Sequence, residues 1–162
     1  MIQSDCAFSD ARGWFRYRAG AIILEDDCVL MIKNITDPYY YSVGGAVKLG
    51  ESAREAAVRE AFEETGVQYE IDRLQFIHEN FFPGKDAVMG EAILCHEVAL
   101  YFLMKPRGIK VFQPATPELG VPLEQAVWLP VATYKDHAAY PAFFGEKLQD
   151  LKDCVEHILT RE

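Results

Sequence analysis

The sequence predicts one domain of mixed α and β structure (α/β), in which a mixed β-sheet lies between at least two helices. Three observations favour this fold class: recurring runs of β-branched and aromatic residues, a strongly capped helix after residue 52, and leucines at helical spacing near the end. The 162 residues, half of them hydrophobic, are sufficient for one core, so we treat residues 1–162 as a single domain.

The β-rich runs are predicted as strands in chain order. Residues 19–24 and 29–32 flank Glu25-Asp26-Asp27, an arrangement typical of a hairpin. A short aromatic strand follows and ends at the glycine pair Gly44-Gly45. Beyond the first helix the strand-like runs are 69–82, 91–105 and 125–131, and the most loop-like stretch is the proline-rich segment 112–125.

Two helices are predicted, one in the middle of the chain and one at its end. Ser52 and Glu55 form a capping box, and Gly66 suits the left-handed residue that ends a helix, so the first helix spans Ala53 to Thr65. The second is predicted as an amphipathic C-terminal helix from apolar residues at helical spacing: Leu148, Leu151, Val155 and Leu159.

The middle helix carries an unusual number of carboxylates. At about 100° per residue, Glu60, Glu63 and Glu64 share one arc with Ala53 and Ala56. An ion-pair ladder with Arg59 accounts for some of these charges, but Glu60 and Glu64 form a like-charge pair one turn apart, which costs what a good pair gains. The opposite side is predicted to pack on the sheet through an apolar stripe: Ala57, Val58, Ala61 and Phe62.

Composition and charge exclude several function classes. The formal net charge of −9 gives no general field for binding a nucleic acid. The four cysteines contain no CxxC pair, so neither a zinc site nor a redox dithiol is predicted. The N-terminus lacks an apolar signal core and no apolar run reaches the length of a membrane span, so we expect a cytoplasmic protein.

The helix and its flanks follow the spacing G-x5-E-x7-R-E-U-x-E-E-x-G-U, in which U is an aliphatic residue. The pattern resembles the Nudix box of the Nudix (MutT-like) hydrolases, and Ala61 fills one aliphatic position with a small side chain. The matching positions are Gly45, Glu51, Arg59, Glu60, Glu63, Glu64, Gly66 and Val67.

This resemblance implies an α/β/α sandwich and an enzyme that hydrolyses a pyrophosphate linkage. The implied substrate is a nucleoside diphosphate derivative such as ADP-ribose, a nucleotide sugar or a nucleoside triphosphate, and the implied cofactor is Mg²⁺ or Mn²⁺. A hard divalent cation that prefers oxygen ligands would relieve the repulsion among the glutamates and attract the anionic substrate. The resemblance therefore offers a physical reason for the crowded carboxylates.

Roles for individual residues also follow from the resemblance. It makes Glu60 and Glu64 the principal metal ligands, Glu63 a further ligand or the group that orients water, and the Gly44 carbonyl a further ligand. It makes Arg59 the residue that holds Glu51 and a neighbouring glutamate in place. The implied catalytic set is Glu51, Arg59, Glu60 and Glu63.

The general base is left open, because family members draw it either from the box or from a later loop. Outside the box the candidates are Glu91 and Glu97. Glu97 lies in a strand-like run, where a polar pair with a neighbouring strand is the competing interpretation.

Two other functions are considered. A catalytically silent Nudix domain that senses nucleotides would have lost one of its three box glutamates, and none is lost. An RNA 5′-end pyrophosphohydrolase would need a basic path for the chain, which 16 Lys plus Arg against 25 Asp plus Glu disfavour. We expect a small nucleotide as partner, and a homodimer stays open because dimers are common in the family.

Overall fold

Two β-sheets and one long helix make up most of the computed structural model, which describes residues 4–85, 92–110 and 124–162. The helices are α1 (Ala53–Thr65), the one-turn α2 (Phe144–Lys147) and a 3₁₀ helix (Val131–Asp136). The strands are β1 (Ala7–Asp10), β2 (Gly13–Ile22), β3 (Leu24–Glu25), β4 (Cys28–Asn34), β5 (Tyr40–Ser42), β6 (Gly44–Ala46), β7 (Ile71–Lys85), β8 (Ala92–Met104), β9 (Glu124–Pro130), β10 (Ala139–Tyr140) and β11 (Glu156–Arg161). Glu91 and most of the proline-rich segment lie outside the described residues.

The larger sheet has the order β1-β2-β8-β7-β11, with β6 also paired to β2. Strands β2 and β8 run parallel, β7 and β8 form a long antiparallel pair, and β11 is parallel to β7. The smaller sheet has the order β10-β5-β4-β3, with β9 paired to β4. Strand β5 of the smaller sheet is followed, after Val43, by β6 of the larger sheet, so the glycine pair lies where the chain passes from one sheet to the other.

The predicted hairpin around Glu25 is confirmed. Strands β3 and β4 pair antiparallel across Asp26 and Asp27, whose φ angles are 46° and 59°. Positive φ at both central residues is the geometry of a tight hairpin turn, and aspartate tolerates it better than most residues.

The core lies on both faces of the sheets, which confirms the mixed α/β fold class. Ala19 and Ala21 of β2 pack with α1 on one side, while Ile22 packs with the 3₁₀ helix and α2 on the other. Side chains alternate across a strand, so one strand supplies both cores. On the second side the helical layer consists of short segments.

Helix α1 begins and ends where the sequence predicts, but its buried face differs. Ser52 and Glu55 form the capping box, and Gly66 has a φ of 69°. The buried residues include Ala53 and Ala56, which we expected on the acidic arc, whereas Phe62 of the predicted apolar stripe is 49% exposed. Alanine lets the helix lie close to β2 and β6, a spacing that a phenylalanine would prevent.

The predicted C-terminal helix is wrong. Helix α2 ends at Lys147, and Glu156–Arg161 instead forms β11 along the open edge of β7. Side chains of β11 alternate between half-buried and exposed, with Ile158 packed against the core and Leu159 exposed. The edge of β7 offers six paired positions to this segment, and that non-local partner outweighs the helical spacing of its leucines.

No helix among the described residues is both long and apolar enough to cross a membrane.

Candidate active site

Gly44 and Gly45 bring the backbone of β6 against α1. Gly44 has a φ of 136°, a conformation that side chains rarely adopt, and a Cβ there would collide with the carbonyl oxygen of Ala19. A Cβ on Gly45 would lie 2.5 Å from Oε1 and 2.7 Å from Oε2 of Glu60. The glycine pair is therefore required for the close approach between this backbone and the carboxylates of the helix.

Glu64 is a half-buried carboxylate that no cation among the described residues contacts. Its Oε2 accepts a hydrogen bond of 3.1 Å from the Gly44 N–H, and none of the described arginine, lysine or histidine nitrogens lies within 4.0 Å of it. Burial raises the pKa of Glu64 to about 8, against the opposing effects of the Gly44 hydrogen bond and of Arg18. In the part of the chain that the structure describes, no positively charged group therefore forms an ion pair with Glu64.

Arg59 connects three glutamates and the loop. Its Nε and Nη2 donate to the two oxygens of Glu51 at 2.7 and 2.9 Å, and its Nη1 donates to Glu60 at 2.6 Å and lies 3.5 Å from Glu63. Nη2 also donates to the carbonyl of Ala46 at 3.2 Å. The hydrogen bonds from Arg59 hold the pKa of Glu51 below its usual value. One arginine thus connects Glu51 and Glu60 to the loop through hydrogen bonds.

The acidic arc is divided by its surroundings. The side chain of Glu60 is 16% exposed and that of Glu51 is 12% exposed, whereas Glu63 points outward with 53% of its side chain exposed. Glu60 and Glu64 lie one turn apart on either side of the glycine pair, with Glu60 against Gly45 and Glu64 bonded to Gly44. The structure brings these two together with Gly44, and it leaves Glu63 at the rim.

The residues present fit a hard cation by their chemistry, although they are not gathered into a closed cage. The ligands offered are carboxylate and carbonyl oxygens, the donors that Mg²⁺ and Mn²⁺ prefer. Because burial raises the pKa of Glu64 to about 8, a cation bound beside it would favour its charged form. Within the described part of the chain no group of three or more Asp, Glu, His or Cys side chains is close enough to hold a metal ion. Mg²⁺ commonly takes one or two carboxylates and completes its shell with water and phosphate, and Glu60 and Glu64 match that requirement.

Glu97, a candidate general base, is engaged in an ion pair. It lies on β8 opposite Arg16 of β2, and its Oε2 accepts hydrogen bonds from Nε of Arg16 at 2.8 Å and from Nη2. Glu97 is 6% exposed. The cross-strand pair that competed with the catalytic interpretation is therefore present.

Sequence reasoning missed Arg18. This residue is 8% exposed, and its Nη2 donates to the carbonyl oxygen of Ser42 at 2.7 Å and to the Ser42 hydroxyl at 3.3 Å. Burial lowers the pKa of Arg18, but the combined effect of Tyr101 and of the carboxylates of Glu97 and Glu64 is larger and raises it. The net shift of the pKa is therefore upward. The sequence contained a clue to this residue, because Arg16 and Arg18 alternate and would lie on one face of a strand. We predicted that strand to start at Ala19, so both arginines were left outside it.

The structure thus places an acidic helix against a glycine loop within an α/β/α sandwich. The NUDIX domain family model matches residues 14–146. The chain therefore belongs to the NUDIX domain family, which confirms the resemblance inferred from the box.

Individual relatives support the same assignment. A MutT-like protein of Streptomyces ambofaciens is 31% identical over 90 residues, 56% of this chain and 51% of that protein, so the match spans about half of the relative's length. The crystal structure of a MutT protein from Bacillus halodurans superposes with a TM-score of 0.64 at 17% identity, covering 90% of each chain. An ADP-ribose pyrophosphatase from Streptococcus suis gives a TM-score of 0.55 at 13% identity, covering 90% of this chain and 98% of that one. At these identities the two structures show a shared fold.

Proposed function

We propose that this protein hydrolyses a pyrophosphate linkage in a nucleoside diphosphate derivative, with Mg²⁺ or Mn²⁺ as cofactor. The observation that carries the proposal is the half-buried Glu64 carboxylate, which is bonded to Gly44 and lacks a described cation within 4.0 Å. Such a group is costly to keep charged unless a positive ligand arrives. The substrates that fit are ADP-ribose, a nucleotide sugar and a nucleoside triphosphate.

In this proposal each box residue has a stated task. Glu60 and Glu64 hold the cation together with the Gly44 carbonyl, and Arg59 fixes Glu60 and Glu51 through its hydrogen bonds. Glu63, at the exposed rim, orients the attacking water or adds a ligand when substrate is bound. A divalent cation bound there offsets the carboxylate charge and stabilises the charge that develops on the phosphoryl oxygens.

The test is a panel of ADP-ribose, nucleotide sugars and nucleoside triphosphates, assayed with Mg²⁺, with Mn²⁺ and with excess chelator. We expect metal-dependent cleavage of one substrate class at its phosphoanhydride bond, with the products identified by chromatography. Activity that persists in excess chelator, or the absence of cleavage across the panel, would contradict the proposal.

Glu64→Gln gives the matching variant. Its amide oxygen still accepts the hydrogen bond from Gly44, so we expect an intact fold and a loss of turnover of about a thousandfold, since a metal ligand is worth several kcal/mol in the transition state. Glu70→Gln is the control, because Glu70 follows the box in sequence, is exposed and pairs with Lys105, and turnover should not change. Full activity in Glu64→Gln would count against the assigned role.

A further inference from the structure

A second charged cluster lies on the sheet face opposite α1. Arg16 and Arg18 alternate along β2, and Arg16 lies opposite Glu97 on the parallel strand β8. Ala19 and Ala21 of β2 point to the opposite face of the sheet, where they pack against the buried alanines of α1. Arg16, Arg18 and Glu97 therefore share one face, which also carries Tyr101.

Arg16 is held so that part of its guanidinium stays available. Both Nε and Nη2 donate to the same oxygen of Glu97, and Nη1 makes no hydrogen bond with any residue that the structure describes. The guanidinium carbon lies 4.9 Å from the centroid of the Trp14 ring. The side chain of Arg16 is 28% exposed while that of Glu97 is 8% exposed. A buried carboxylate thus anchors a cation that faces solvent.

Arg18 has a buried donor that the described residues leave unsatisfied. Its Nη2 bonds to Ser42, but its Nε is buried and has no hydrogen-bond partner among them. Buried donors are almost always paired, so such a group indicates a missing partner. Arg18 on β2 pairs with Ala46 of β6, directly after the glycine pair that Glu60 and Glu64 contact, and β2 pairs on its other side with β8, which carries Glu97.

The sign of the charge identifies the class of ligand. On this face two arginines meet one glutamate, although the chain as a whole carries a net charge of −9. Because β6 pairs with β2, an anionic group held near Gly44 and Gly45 would lie beside the strand that carries both arginines. Arginine is also the side chain best suited to phosphate, because its planar fork donates two parallel hydrogen bonds.

We propose that Arg16 and Arg18 bind a phosphate group of the substrate, and that Glu97 is a positioning residue that orients Arg16 instead of acting as the general base. This inference rests on the proposed function, since it assigns a second part of the same substrate site. It also gives Trp14 a use as a reporter, because a ligand on Arg16 changes the surroundings of that indole.

The binding test is separate from turnover. The chain has two tryptophans, so Trp128→Phe leaves Trp14 as the reporter. In that background, inorganic pyrophosphate and ADP-ribose are titrated in chelator and again with Ca²⁺, and Trp14 fluorescence is followed. We expect saturable binding that Arg16→Met weakens about tenfold to a hundredfold, the usual effect of losing charge-assisted hydrogen bonds, and that Arg16→Lys partly retains.

Arg12→Met is the matched control. Arg12 precedes β2, has a side chain that is 89% exposed and pairs with Asp10, so its loss removes the same charge from the same end of the chain. We expect its affinity to stay within about twofold of the parent, because exposed charges act weakly through screened solvent. Equal weakening by Arg12→Met and Arg16→Met, unchanged affinity in Arg16→Met, or no binding by the parent would each overturn the proposal.

Kinetics then separate positioning from proton transfer. On the substrate found in the panel, Arg16→Met and Glu97→Gln should raise KM at least tenfold and leave kcat within about threefold, because they weaken binding of a group that does not react. A hundredfold loss of kcat in Glu97→Gln with unchanged KM, together with loss of the acidic limb of the pH–rate profile, would make Glu97 the general base. If Glu97→Gln does not fold, the changes in KM and kcat of Arg16→Met alone test whether this face binds the substrate.

The two proposals fail in different ways. Nucleotide binding that depends on Arg16, without hydrolysis of any substrate in the panel, would retain this phosphate site and reject the enzymatic function. Hydrolysis that depends on Glu64 but not on Arg16 would retain the function and reject this site.

Discussion

The two charged clusters of this protein differ in which sign is in excess. Beside α1, Arg59 is shared by Glu51, Glu60 and Glu63, and Glu64 has no described cation within 4.0 Å. On the face of β2 and β8, two arginines meet the single carboxylate of Glu97. Among the described residues, the first cluster has more carboxylates than cations and the second has more cations than carboxylates.

This difference matches the two parts of one ligand. A metal-bound phosphate supplies positive charge at one end and negative oxygens along the rest, so neighbouring clusters of opposite excess can bind it without either being neutralised internally. Arg18 lies between them, because its strand β2 pairs with β6, which carries the glycine pair, and with β8, which carries Glu97. The comparison predicts that variants on the α1 side change the requirement for metal, whereas variants on the β2 side change affinity for substrate.

The largest effect is expected from replacing the buried glutamate of the acidic arc, and a smaller one from replacing the exposed glutamate. Glu60→Gln should lower kcat about a thousandfold and raise the metal concentration required, because Glu60 is held by Arg59 beside Gly45. Glu63→Gln, at a side chain that is 53% exposed, should lose at least tenfold less. Metal titrations of turnover in both variants measure the difference. Equal losses would show that Glu63 turns inward when substrate binds.

An intermediate effect is expected at the glycine pair. In Gly45→Ala the new Cβ would lie 2.5 Å from Oε1 of Glu60, so the carboxylate must move. Arg59 restrains that carboxylate through a hydrogen bond of 2.6 Å, and we expect turnover to fall about tenfold to a hundredfold, the range seen when groups that orient metal ligands are lost. Assays at saturating metal, combined with thermal unfolding, measure both consequences.

Gly145→Ala serves as the control for Gly45→Ala. Its Cβ would meet Cγ of Lys135 at 2.6 Å, a similar collision with a flexible side chain far from the box. Turnover should be unchanged there. A loss of activity in Gly145→Ala as large as in Gly45→Ala would mean that the effect is one of packing and not of the Glu60 carboxylate.

The features that sequence predicted well are local ones. Ser52, Glu55 and Gly66 place both ends of α1 to the residue, because a cap is a contact within one helical turn. The face that α1 buries was predicted less well, since Phe62 is exposed and Ala53 is buried. Which side of a helix faces the sheet depends on how closely the two can approach, and that depends on the alanines and on the glycine pair of β6.

The features that sequence missed depend on distant partners. β11 forms because β7, about 80 residues earlier in the chain, presents an open edge, and no periodicity within 148–159 contains that information. The contact between Arg16 and Glu97 joins residues 81 positions apart. Their pairing requires knowing that β2 and β8 are parallel neighbours, which a single sequence does not provide.

His78 is a buried neutral residue on the same face as the arginine cluster. It is 2% exposed, and its Nε2 forms a hydrogen bond of 2.8 Å with the Thr160 hydroxyl, which in turn donates to Oδ1 of Asn80 at 2.5 Å. Because the one hydroxyl proton of Thr160 goes to Asn80, the Nε2 of His78 carries the ring proton. Burial lowers the pKa of His78 to about 4, against a smaller opposing effect of Glu97.

The smallest effect on turnover, and a distinct one on stability, is therefore expected from His78→Gln. A histidine whose folded pKa lies below its unfolded value of 6.5 contributes stability above that pH, and the contribution is lost as the pH falls towards 4. Urea unfolding should show that the stability of the parent relative to His78→Gln declines by at most about 3 kcal/mol between pH 7 and pH 4.5, because glutamine does not titrate and the opposite trend from the raised pKa of Glu64 is common to both proteins. His157→Gln is the control, since His157 is 59% exposed and its replacement should leave the decline in place. If the parent and His78→Gln lose stability equally, His78 is in contact with water in solution. The electrostatic interactions of Arg18 on the same face would then be weaker than its burial indicates.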